Sequence, residues 1–228
     1  MKKKSKRLIE EVKKIQKDTY SIDEAITLVT QMNSAKFDES IEAHVNLDID
    51  PKYADQQLRT TVSLPNGTGK DVRIGVLTTS ENFSEAQAAG ADIIGNEDLI
   101  LDISKGILDF DLLITTADMM PKLAKLGRIL GPKGLMPSPK AGTVSNNLTT
   151  TIPEFKKGKI EYRADKSGTV HLSFGKSSFT ELQLKDNFMT LYNSIMNNKP
   201  SGVKGKYLKT LSICSTMSPS VKVDISQF

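Results

Sequence analysis

This 228-residue chain has few side chains suited to catalysis or metal binding: one cysteine, Cys214, and two histidines, His44 and His171. A single cysteine excludes an internal disulfide and suits a reducing compartment. Within the strand-like Leu211–Ser215 it reads as a small buried residue rather than a nucleophile. No His-Glu-x-x-His, Cys-x-x-Cys or Gly-x-Ser-x-Gly pattern occurs, so catalysis finds little support, and neither a metal nor a cofactor is expected. The phosphate-loop pattern fails because Gly69-Lys70 is followed by Asp71; the dinucleotide pattern fails because Leu77 leads into Thr78-Thr79-Ser80-Glu81. No apolar run approaches the ~20 residues of a bilayer span, so no membrane is expected. The basic Met1–Arg7 stretch leads into Leu8-Ile9-Glu10-Glu11-Val12 with no apolar region or cleavage site, so neither a secretory signal nor a transit peptide is expected.

Acidic residues are missing from two long stretches, Met119–Pro153 and Asn187–Val223, each dotted with Lys or Arg and punctuated by Gly and Pro. The overall charge is only +4, but its distribution is uneven. Lys157–Phe228 has 11 basic and 5 acidic residues, while Asn66–Asp118 has 3 and 10. Fixed backbone with exposed N–H groups and uncompensated cations suits an extended polyanion, which makes RNA the leading partner.

Periodicity divides the chain by style. Ser21-Ile22-Asp23-Glu24 is a capping box opening a helix, and Glu42–Asp50 alternates strictly, with Ala43, Val45, Leu47 and Ile49 inward. From Val72 to Leu126 short apolar runs alternate with short helical patterns, the signature of βαβ units. After Pro153 the half-exposed style returns in two strands around the Asp165-Lys166-Ser167-Gly168 turn, a long helix over Thr180–Asn198, and strands over Lys209–Ser215 and Val221–Ile225. The expected fold class is α/β (α+β) in two domains. Residues 1–65 and 157–228 would form a discontinuous antiparallel-sheet domain, and residues 66–156 an inserted Rossmann-like domain.

Each candidate site has a plain structural alternative. The turn Ser215-Thr216-Met217-Ser218-Pro219 offers hydroxyls and free N–H groups, with Lys204, Lys206 and Lys209 upstream, but it is also readable as a generic β-turn. Phe37 could stack on a base with Lys36 on phosphate, or be tucked into the core. Arg163, Lys166 and His171 could extend that surface, although a lone histidine is more often a partly buried strand residue. The Gly127–Pro137 segment, with Arg128 and Lys133 and with Lys140 beyond it, reads equally as a phosphate cradle or a rigid elbow. The competing function is an enzyme holding a nucleotide or acidic metabolite in the inserted parallel-sheet domain.

Four motifs narrow the choice: Ala35-Lys36-Phe37-Asp38-Glu39-Ser40, Leu130-Gly131-Pro132-Lys133-Gly134-Leu135-Met136-Pro137, Arg163-Ala164-Asp165-Lys166-Ser167-Gly168 and Ser215-Thr216-Met217. They resemble the ribosomal protein L-one family of the mobile stalk of the large ribosomal subunit, over nearly the whole chain. Asp50–Val62 looks closest to cyanobacterial and plastid members. The resemblance implies a non-enzymatic monomer within the ribosome, located in the plastid stroma or otherwise the bacterial cytoplasm. It implies binding to large-subunit ribosomal RNA, help in releasing deacylated tRNA at the exit site, and repression of its own mRNA. By motif position it places RNA contacts on Lys36, Phe37, Ser40, Glu42, Arg163, Lys166, Ser167, His171, Thr210, Thr216, Met217, Ser218 and Pro219, with secondary contacts on Arg128, Lys133 and Lys140. Ser218 stands where the family usually has Gly, so a positive φ there would strain the turn.

Overall fold

The computed structural model of the protein describes residues 5–203 and 205–227; the basic Met1–Lys4 stretch and Lys204 lie outside them. In chain order the elements begin with α1 (Lys6–Lys14), α2 (Ile22–Gln31), β1 (Ser40–Leu47) and β2 (Arg59–Ser63). Next come β3 (Ile74–Leu77), α3 (Phe83–Ala88), β4 (Ile93–Gly95), α4 (Glu97–Ser104) and β5 (Leu112–Thr115). Three helices follow, α5 (Met120–Ala124), α6 (Gly127–Leu130) and α7 (Leu148–Lys156). The chain ends in β6 (Lys159–Arg163), β7 (Thr169–Lys176), α8 (Glu181–Asn197), β8 (Leu208–Ser215) and β9 (Val221–Val223). It divides into two compact units, one made of Met1–Gly69 with Glu161–Phe228, the other Lys70–Ile160.

The discontinuous unit is built on an antiparallel sheet of order β7-β1-β8-β9. Alternation in β1 sends Ile41, Ala43, Val45 and Leu47 to the core side, where they are at most 3% exposed. That side packs on α2 and α8, which present Ala25, Ile26 and Val29 and Leu184, Phe188, Leu191 and Ile195. Each fully buried aliphatic or aromatic side chain contributes roughly 1.5–3 kcal/mol. Both helices start at a reciprocal capping box, Ser21 with Glu24 and Thr180 with Gln183. Buried Asn187 fastens the chain leaving this unit: its amide donates to Gly67 O (2.9 Å) and Phe174 O (2.8 Å), and its Oδ1 accepts from Asn66 N (3.0 Å). A separate two-stranded ribbon pairs β2 with β6.

The other unit has a parallel sheet of order β4-β3-β5, covered on both faces. Ile74, Val76 and Ile114 pack with Ala86, Leu148, Ile152 and Phe155 on one side, while Leu77 and Leu113 pack with Leu99, Ile103, Leu123 and Leu130 on the other. This accounts for the unbroken burial of β3. The acid-free Met119–Pro153 stretch is not one loop but carries α5, α6 and most of α7. Gly127 opens α6 rather than ending a helix. In α7, Leu148, Thr151, Ile152 and Phe155 form a buried stripe at helical spacing, strong enough to keep Pro153 inside the helix despite its missing donor.

Candidate nucleic-acid interface

The side of the β7-β1-β8-β9 sheet away from α2 and α8 is an open polar face. From β1 it presents Ser40, Glu42, His44 and Asn46. Register sets Lys176, Ser173, His171 and Thr169 of β7 against them on one flank, and Cys214, Ser212 and Thr210 of β8 against Glu42, His44 and Asn46 on the other. The Ala164–Val170 bridge then puts Arg163 one step along, beside His171 on the same side. Ser40, Glu42, His171, Thr210 and Arg163 therefore share one surface.

One corner of that face is tied by Glu39, a carboxylate only 1% exposed. Its Oε2 accepts from Ser215 Oγ (2.6 Å) and Met217 N (2.9 Å), and its Oε1 from Ala35 N (3.2 Å). Ser40 N donates to Thr216 Oγ1 (3.0 Å), and Thr216 N to Ser40 O (3.0 Å). Asp38 accepts from Ser177 Oγ (2.7 Å) and Ser178 N (3.0 Å); the Ser177 hydroxyl bond, more than any other influence, holds its carboxyl below the usual range. Both acids are thus used internally, and the side chains they bracket face water: Phe37 is 52% exposed and Met217, across the corner, 46%. Phe37 is not in the core. From α1, Arg7 also donates to Met217 O (3.1 Å).

At the opposite end, Asp165 organises the β6–β7 turn by accepting from Ser167 N (2.9 Å), Ser167 Oγ (2.8 Å) and Thr169 N (2.8 Å). These bonds, Thr169 N first, keep its carboxyl below the ordinary value. Ser167 therefore spends its hydroxyl on the turn, while Lys166 projects freely. Gly168 has φ 78°, and a Cβ there would lie 3.0 Å from Ile49 O, so only glycine fits. Among the described residues no ion pair engages Lys36, Arg163 or Lys166, and Lys176 donates to Ser40 Oγ.

Ser218 departs from what its place in the motif implied. No described non-glycine residue has positive φ, so serine is unstrained there. Its Oγ accepts from Ser215 N (2.9 Å) and, with Pro219 next in the turn, donates to Pro219 O (3.2 Å). Ser218→Gly is accordingly expected to lower stability by about 1 kcal/mol, since it frees a part-buried donor and relieves nothing; a higher melting temperature for that variant would contradict this.

Sequence reasoning passed over His44, Ser173, Ser212 and Lys222, although the parity of their strands places them on this face, and Lys176, which parity alone would turn away and which the bulge opposite Ile41 and Glu42 brings round. It also read Cys214 as a buried core residue. The thiol is instead half-buried on the polar side, 3.1 Å from His44 Nε2, and burial and Glu42 push it up to about 11. His171 is exposed, with its Nδ1 2.8 Å from His44 Nδ1. Burial first, then the neighbouring His171, holds the His44 imidazole below its usual value, against the pull of Glu42. Arg128, Lys133 and Lys140 are exposed, but they belong to the Lys70–Ile160 unit and are not part of this sheet face.

The family model described as "Ribosomal protein L1p/L10e family" matches residues 29–219. The chain belongs to that family. It is 61% identical over 229 residues to the large ribosomal subunit protein uL1c of Trieres chinensis, covering 100% of both chains. It is similarly 61% identical over 229 residues to the uL1c of Phaeodactylum tricornutum, again over 100% of both. Against the large ribosomal subunit protein uL1 of Prochlorococcus marinus strain MIT 9301 it is 60% identical over 226 residues, or 99% of this chain and 96% of the relative. These relatives are named as ribosomal proteins, a structural rather than an enzymatic class. Among the described residues no helix is long and apolar enough to cross a membrane.

Proposed function

We propose that the discontinuous unit binds large-subunit ribosomal RNA through the open face of its four-stranded sheet, making the chain a structural part of the large ribosomal subunit at its mobile stalk. The observation that carries this reading is the corner built by Glu39. A buried carboxylate ties together two segments distant in sequence that carry the exposed Phe37 and Met217, and Lys36, which has no ion pair among the described residues, precedes Phe37. Exposed apolar side chains on a rigid, hydroxyl-rich rim suit a folded RNA, which is read by shape, by stacking and through its 2′-hydroxyls. Lys36, Ser40, Thr216, Met217, Ser218 and Pro219 make one end of the footprint. Arg163, Lys166 and His171 make the other, with Glu42 and Thr210 between them and Ser167 shaping the turn. Arg128, Lys133 and Lys140 supply secondary contacts from the inserted unit.

On the ribosome the protein sits near the tRNA exit site as a monomer and assists release of deacylated tRNA; the same face, offered to a similar fold in its own messenger, represses translation. Its uL1c and cyanobacterial uL1 relatives favour the plastid stroma, or otherwise the bacterial cytoplasm. The test is direct binding of the chain to a structured large-subunit RNA fragment over a salt series. Arg163→Ala and Lys166→Ala should each make the slope of log affinity against log salt about one unit shallower, with circular dichroism unchanged. Slopes equal to the parent's would remove these residues from the footprint.

A further inference from the structure

We propose that Glu42, His44 and Cys214 form a zinc site on the open face of the sheet, with a fourth coordination position turned to solvent. The strands themselves assemble the donor set. Glu42 and His44 lie two residues apart on β1 and share a face, and register places Cys214 of β8 directly across from Glu42. One ligand atom from each of the three lies within 4.8 Å of the others. His44 Nε2 is 3.1 Å from Cys214 Sγ and 4.0 Å from Glu42 Oε2. Tetrahedral zinc, with bonds of about 2.0–2.3 Å, separates its donors by roughly 3.5 Å, a spacing within the range these atoms span and reachable by side-chain movements of about an ångström. Imidazole, thiolate and carboxylate together exclude calcium and magnesium, which take oxygen shells, and suit a borderline ion. Three protein ligands and one open position is the arrangement of accessible zinc sites.

The surroundings already orient the imidazole. His44 Nδ1 lies 2.8 Å from His171 Nδ1, and His171 Nε2 lies 3.7 Å from Asp165 Oδ2. The pattern that satisfies both rings has Cys214 S–H donating to His44 Nε2, His44 Nδ1–H donating to His171 Nδ1, and His171 Nε2–H directed at Asp165. That tautomer presents the Nε2 lone pair of His44 on the side of the thiol and carboxylate, and an imidazole held through its far nitrogen is the usual support of a metal ligand. Binding replaces the thiol proton: the Zn–S bond forms, the S–H bond breaks and the proton passes to solvent. His171 acts as a positioning residue.

The experiment uses the full chain without RNA, so its outcome is separate from that of RNA binding. The chain is titrated with zinc and, as a spectroscopic substitute, with cobalt(II), under a phosphine reductant. A single equivalent is expected, with a thiolate-to-cobalt charge-transfer band in the ultraviolet. Cys214→Ser should abolish the band and weaken zinc binding at least tenfold. His171→Ala should keep the band while weakening binding roughly ten- to hundredfold. Glu42→Gln, a conservative change on a half-exposed strand position, should also weaken binding while leaving the thermal melt unchanged. If the parent shows no thiolate band, or Cys214→Ser binds zinc as tightly as the parent, the assignment is overturned.

Discussion

Replacing Glu39 with alanine is expected to destabilise the discontinuous unit by about 3 kcal/mol and lower its melting temperature by roughly 10 °C. The variant leaves three donors behind: the hydroxyl of Ser215, a residue 2% exposed, and the amides of Met217 and Ala35. Leaving a buried donor unsatisfied costs about 1–3 kcal/mol, and bonds to a charged acceptor are the stronger ones. The loss should also reach binding, because the carboxylate joins residues 176 apart in sequence and holds the Met217 turn near Phe37. Glu39→Gln should fall between parent and alanine variant: its carbonyl oxygen can replace one acceptor, while its NH2 group faces a donor. A loss under about 1 kcal/mol for the alanine variant would show that water or a shifted side chain replaces the tie.

The second large effect is that of salt. If the face neutralises about five phosphates, raising monovalent salt from about 50 to 200 mM should weaken binding to the RNA fragment by about two to three orders of magnitude. The figure follows from five cations, Lys36 at one end of the proposed footprint and Arg163 and Lys166 at the other, none of the three ion-paired among the described residues, with Lys176 and Lys222 on the sheet face. A flat response, measured by filter binding or fluorescence anisotropy, would mean that apolar and hydroxyl contacts dominate and that this group of cations is a solvated surface.

Local signals were the legible part of this fold. Strict alternation announced β1, the Ser21 and Glu24 pair announced α2, and Asp165–Gly168 announced the turn between β6 and β7, although those strands join different sheets and meet only at the Ala164–Val170 bridge rather than as the expected hairpin. Helix α7 was hidden because its three threonines and Pro153 have low intrinsic propensity, which the burial of Leu148, Ile152 and Phe155 overrides. The corner at Glu39 was hidden for a different reason: its bonds join segments far apart in sequence, and no local pattern marks a carboxylate that will be buried. Cys214 was misjudged by residue type, although its parity with Thr210 and Ser212 put it on the polar side.

The strand order β7-β1-β8-β9 also bears on biosynthesis. β1 emerges early from a translating ribosome, but both of its neighbours are encoded beyond the inserted unit. At roughly 5–20 residues per second, the approximately 160 residues from Leu47 to Leu208 take about 8–30 s to be added. Until β7 is added β1 has two unpaired edges, and until β8 is added it still has one, whereas the Lys70–Ile160 unit is complete in sequence before either neighbour appears. A nascent chain halted before β8 therefore lacks the strand that closes this sheet, and the open polar face is complete only in polypeptides made nearly to full length.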